Sequence, residues 1–169
     1  QKDTARANFM IEKFENARDL YLLDIVDIGQ DAVEHLAQYL DGTDPATGKD
    51  SRVVRMFVAD CLVHIATRKG ESLAASKLKE IVSTGSDLAK AGAAYGISRL
   101  GSAGSDAVAT LKNNLASSNI ETKMFSAYAL GKVGSSDDAK ALVATIARSG
   151  ADLPDEKARE SFKELRKIA

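Results

Sequence analysis

Apolar residues along this chain recur at spacings of three and four, and runs that alternate apolar with polar positions are scarce. The helical period therefore outweighs the strand period, and the pattern predicts an all-α chain. The same pattern returns at intervals. The stretches "SAYALGKVG" (Ser126 to Gly134) and "AAYGISRLG" (Ala93 to Gly101) share the order small, small, Tyr, small, apolar, any, basic, apolar, Gly. Its register recurs in "VADCLVHIA" (Val58 to Ala66), in "SFKELRKIA" (Ser161 to Ala169) and more faintly in "LYLLDIVDIG" (Leu20 to Gly29). The closing positions Gly29, Ala66, Gly101, Gly134 and Ala169 are 37, 35, 33 and 35 residues apart, the length of one helical hairpin in a stacked array.

A second amphipathic stretch follows each of the first four copies, starting at Asp31, Glu71, Ser105 and Ser136. Their apolar positions align without gaps as Val33/Ala75/Val108/Ala139, Leu36/Leu78/Leu111/Leu142 and Leu40/Val82/Leu115/Ile146, one buried stripe written four times. Where a glycine closes the first helix it is expected to permit the left-handed cap, and the following Ser or Asp to accept from the N–H groups that open the next helix. Gly131, one turn earlier, is expected to let neighbouring helices approach. The predicted architecture is a single domain of about nine helices. Its hairpins cover residues 4–41, 51–84, 86–117 and 120–149, a terminal helix covers 154–169, and each hairpin touches only its neighbours.

The glycines invite a phosphate-loop reading, which the context opposes. A Walker-type loop needs a preceding strand, and "GTDPATGKD" (Gly42 to Asp50) has one residue too many between its glycines and Asp50 where a hydroxyl should stand. Asp41, Asp44 and Asp50 also miss the calcium-loop spacing, so this stretch reads as a long loop between hairpins.

Composition narrows the function classes. The 169 residues are 44% hydrophobic and 28% charged, enough for one real core. With 23 basic against 24 acidic residues and no Trp, neither a global field nor a stacking platform for nucleic acid is expected. No apolar run approaches the roughly 18 residues that span a bilayer, so no membrane insertion is expected. The single cysteine, Cys61, excludes an internal disulfide. Gln1 in place of an initiator Met reads as a cleaved or cloned end, and the absence of a second helix after 154–169 reads as a fragment of a longer array or a face that docks elsewhere.

The copies "KAGAAYGISRLGSAGSDAVATLKNNL" and "KMFSAYALGKVGSSDDAKALVATI" resemble the short HEAT-like repeats also found in phycobilin lyases. The resemblance covers nearly the whole chain and is strongest from Ser86 to Gly150. It implies a curved right-handed α-solenoid whose second helices line a concave, partner-binding side. It also leaves open a bilin-lyase-like or other accessory subunit that holds a small ligand or a substrate protein. The departures are an unusually long first helix, Thr4 to about Asp27, and the Gly42 to Asp50 loop.

Catalytic chemistry finds little support. Cys61 and His64 lie three apart on one helix, but Cys61 shares a column with Gly96 and Ala129, a small packing position, and so reads as an inert thiol. His64, Arg99, Lys132 and Lys167 form a basic column near the ends of the first helices, where cations complement the helix dipole. A second basic column, Arg55/Lys90/Lys123, lies early in those helices and is expected to pair with acids of the adjacent repeat. With His35 and His64 as its only histidines, the chain lacks the convergent ligands of a metal site, and neither metal nor cofactor is expected.

What remains is a non-catalytic interaction or scaffold module with a protein partner. Its candidate contact residues face away from the buried stripe on the second helices, in the rungs His35/Lys77/Thr110/Ala141, Gln38/Glu80/Asn113/Ala144 and Tyr39/Ile81/Asn114/Thr145. The first three members of each are the predicted partner-binding set. Tyr39 and Ile81 supply apolar anchors beside a polar rim.

Overall fold

The computed structural model describes residues 21–70, 72–135 and 137. Residues 21–28 are helical (α1) and run into a 3-10 turn, Gly29–Ala32, that opens α2 (Val33–Ala37). Then follow α3 (Arg52–Arg68), α4 (Ser72–Thr84), α5 (Asp87–Arg99), a 3-10 run (Gly101–Ala107), α6 (Val108–Asn114) and α7 (Ile120–Val133). No strand occurs among the described residues, only an isolated bridge between Thr43 and Asp50, so the chain is all-α there. Of the nine helices expected, the second helix from Ser136 and the terminal helix over 154–169 lie outside the described residues, as does the start of the first.

The helices form two layers. In one, α5 packs between α3 and α7; in the other, α4 touches both α2 and α6; and α4 packs against α3 and α5 across the layers. The apolar columns explain this. Leu36, Leu78 and Leu111 are all buried, as are Leu40 and Val82, with Leu115 packed at the edge. The first helices answer with Leu62, Ile97 and Leu130, each at most 1% exposed. One column escaped the sequence pattern: Ala32, Ala74 and Ala107 are buried, whereas Ala75 and Val108, one position on, are only partly so. Small residues there bring the second helices close to the core.

The first helices share their start signals. Ser51 Oγ accepts from the Val54 N–H, Ser86 Oγ from Ala89, and Asn119 Oδ1 from both Glu121 and Thr122. Each satisfies backbone donors that the first turn leaves free, an effect of about 1 kcal/mol per cap.

The corners differ from expectation. Gly29 and Gly101 do take positive φ, 70° and 60°, but Gly134 is extended at φ −81°, ψ 168°. In the second copy α3 runs past Ala66 to Arg68, and the positive φ falls on Gly70. Nor do side chains cap the helices that follow Gly29 and Gly101. The chain enters 3-10 geometry at once, no side-chain cap bond forms at either start, and Ser105 Oγ donates backwards to the Ser102 carbonyl. Gly131 is exposed, and a Cβ added there would meet nothing within 4 Å. The close approach lies at Gly96 instead, where a Cβ would stand 2.9 Å from Leu78 Cδ2.

Candidate functional site

The second-helix rungs turn out to be uneven. His35 and Gln38 are exposed on or just after α2, and the His35 ring meets Tyr39 edge-on with centroids 5.3 Å apart. Tyr39 and Ile81 are only half-exposed, because both lean on the core. Lys77 sits between Glu34 (3.0 Å) and Glu80 (2.9 Å), whose hydrogen bonds, Glu80 first, raise its pKa. Thr110 is half-buried and Asn113 exposed. Asn114 departs from its predicted place: it is buried, and its Nδ2 donates to the Val82 carbonyl at 2.9 Å. As the last residue of the short α6, it turns inward and satisfies a carbonyl near the end of α4. Its side chain is therefore a tie between second helices, not part of an outer rung. Ala141, Ala144 and Thr145 lie outside the described residues.

The first-helix layer carries a different feature. Met56 of α3, Tyr95 of α5, and Met124, Phe125 and Tyr128 of α7 line an open hollow of about 260 Å³. No second-helix residue contributes to it, so it opens away from that layer. Tyr95 and Phe125 meet edge-to-face at 5.8 Å. The register accounts for the hollow: Ala91 of α5 stands in the column where α3 carries Met56 and α7 carries Met124, whereas the space beside Gly92 is taken by the Leu40 carbonyl and the Arg55 side chain. A thin middle helix between two thick ones leaves a trough. Comparing the first helices column by column shows this size difference in the sequence, whereas periodicity within any one helix does not.

Charge gathers at the two ends of this layer. At the N-terminal end, Arg55 is 1% exposed, and its Nη1 donates to the Asp41 carbonyl (2.5 Å) and to Asp50 (2.9 Å). Its Nη2 donates to Glu121 at 2.9 Å, and Arg52 reaches the other oxygen of the same carboxylate. Arg55 was expected to pair with the adjacent repeat. It passes over α5, along the flank of Gly92, and grips a helix two hairpins on. Asp41, just before the Gly42 to Asp50 loop, and Asp44 within it are engaged too, since both accept from N–H groups of that loop. Lys90 and Lys123 form no ion pair among the described residues.

At the C-terminal end, Arg99 pairs with Asp60 at 3.0 Å and lies over the Tyr95 ring, 5.8 Å from its centroid. Lys132 lies over Tyr128 at 5.7 Å. Both cations belong to the last turn of their helices, where the dipole favours them, but His64 does not, because α3 continues to Arg68. Tyr95 ionises above its usual range through burial and the nearby Asp60 carboxylate. Cys61 is fully buried, and burial, with Asp60 adding to it, pushes its thiol up to about 12. A thiol so held is a packing group rather than a nucleophile.

Among the described residues no His, Cys, Asp or Glu cluster could hold a metal ion, and no helix is long and apolar enough to cross a membrane. Comparison with known proteins finds no family model, no curated relative and no solved structure that matches this chain.

Proposed function

We propose that the chain is a non-catalytic protein-interaction module, a right-handed stack of HEAT-like hairpins whose contact surface is the Met- and aromatic-lined hollow of the first-helix layer. The hollow is the observation that carries this reading. Its volume of about 260 Å³ falls just under the range of about 300–1,000 Å³ in which small molecules are usually enclosed. Its walls offer no convergent polar groups to orient a reactive substrate. They do offer aromatic rings and thioethers, the groups that dominate protein contacts. The second-helix face is a weaker surface for a partner, since Lys77 is already neutralised by its neighbours and Asn114 is turned inward.

A photo-crosslinking amino acid in place of Tyr128 is expected to trap a second polypeptide in a native extract, while the same group in place of Gln38 traps none. The reverse result would move the contact to the second-helix face, and trapping at neither position would overturn the interaction reading.

A further inference from the structure

The geometry points to one class of occupant for this hollow: an amphipathic helical segment with acidic residues beside its apolar anchors. This inference deepens the interaction reading above and rests on it.

The walls decide the first half. Met56 and Met124 bring unbranched, polarisable side chains that adapt to an inserted aliphatic or aromatic group, and Tyr95, Phe125 and Tyr128 supply ring faces and edges. The space takes one or two side chains. Presented by a helix, these arrive as neighbours at i and i+3 or i+4, which matches a trough between parallel ridges.

The rim decides the second half. Tyr95 and Tyr128 occupy one column of neighbouring helices, and each is followed four residues later by a cation lying over its ring, Arg99 and Lys132. Two wall residues therefore end in positive charge on the same side of the hollow. The nearby carboxylates offset it only in part: Glu121 is held by two arginines at the far end. Asp60 is mostly covered and engages Arg99, which keeps a side-chain exposure of 45%, while Lys132 is exposed and has no ion pair among the described residues. A segment with carboxylates beside its anchors meets complementary charge, and a basic one meets repulsion.

The test uses the full chain and two synthetic fluorescent peptides. They share leucines at i, i+3, i+4 and i+7 on an alanine background and differ only in carrying glutamates or lysines at the flanking positions. Fluorescence anisotropy is expected to show saturable binding of the glutamate peptide, at least about tenfold tighter than the lysine peptide. Met124→Asp should weaken the glutamate peptide by a further factor of about ten or more. Lys132→Glu, on an exposed side chain with no ion pair among the described residues, should narrow or erase the preference while circular dichroism stays that of the parent. Equal affinity for the two peptides, lost in both cases on Met124→Asp, would overturn the acidic class and leave the interaction reading standing. No binding of either peptide, or binding abolished by Tyr39→Ser with Ile81→Ser and untouched by Met124→Asp, would overturn both.

Discussion

The two helix layers share one core but treat their outward residues differently. In the second-helix layer, charges are dispersed along the helices and pair with close neighbours: Lys77 with Glu34 and Glu80, and Lys79 with Asp106 across to the run before α6. In the first-helix layer, charges collect at the ends. Arg52, Arg55 and Glu121 close one end, Arg99 and Lys132 mark the other, and the middle is apolar. The second-helix layer is thus a self-neutralised face and the first-helix layer a banded one. What separates them is the thin α5, whose buried Ala91, Gly92, Ala93, Ala94 and Gly96 let α3 and α7 reach over it and still leave a hollow.

Breaking the clasp is the severest way to test this contrast. Arg55→Ala leaves Glu121 largely buried beside a single arginine, and Glu121→Ala leaves the Arg55 guanidinium short of its main partner. Each should cost about 3–5 kcal/mol in urea unfolding, as for other buried pairs that lose one member. Lys77→Ala, in the dispersed network of the other layer, should leave the urea midpoint where it is. Equal shifts would mean that the two layers are held alike.

Two glycines sharpen the comparison within the first-helix layer. Gly96→Ala forces a Cβ against Leu78 and should destabilise by about 1–3 kcal/mol. Gly131→Ala meets open space in the last turn of α7 and should stabilise by up to about 1 kcal/mol. A loss at position 131 would show that the outer side of α7 is packed after all. Of comparable or smaller size is Asn114→Ala in the second-helix layer. It removes one bond to the Val82 carbonyl and should cost about 1–2 kcal/mol, an effect that hydrogen exchange should place at the end of α4.

The smallest effect below pH 9 belongs to Cys61. Its folded pKa of about 12 lies above the ordinary value of 9.0, so the folded state keeps a proton that the unfolded chain releases. The contribution is fully present below pH 9 and is lost as pH rises from 9 towards 12. Iodoacetamide at pH 8 should therefore label the unfolded chain and spare the folded one. Rapid labelling of folded protein would place the thiol outside the core.

Much of the helix pattern was legible because a 3.6-residue period and an aligned column are properties of the sequence itself. Leu36, Leu78 and Leu111 fell into one buried column, and Cys61 beside Gly96 and Ala129 fell into another. The corners were less legible. A Ser after a Gly caps a helix only if the chain leaves helical geometry there, and after Gly101 it passes directly into a 3-10 run. The hollow was hidden for a different reason: it depends on size differences between helices 33 and 35 residues apart, a lateral property that no single amphipathic stripe carries. Arg55 was read as a cation near a helix start that pairs with an acid of the adjacent repeat. Its burial depends on Gly42, Gly92 and Glu121 together, and only the fold brings those three into one place.

The Arg55 clasp also changes how the chain can come apart. A purely nearest-neighbour stack frays from its ends, each hairpin leaving at its own cost and in its own time. Here, peeling α7 away takes Glu121 from the buried Arg55 guanidinium of α3, so the penalty for fraying is felt on a helix well away from the end that frays. The helices α3, α5 and α7 are therefore expected to open together rather than in sequence, and the hollow they line to be lost as soon as α7 lets go.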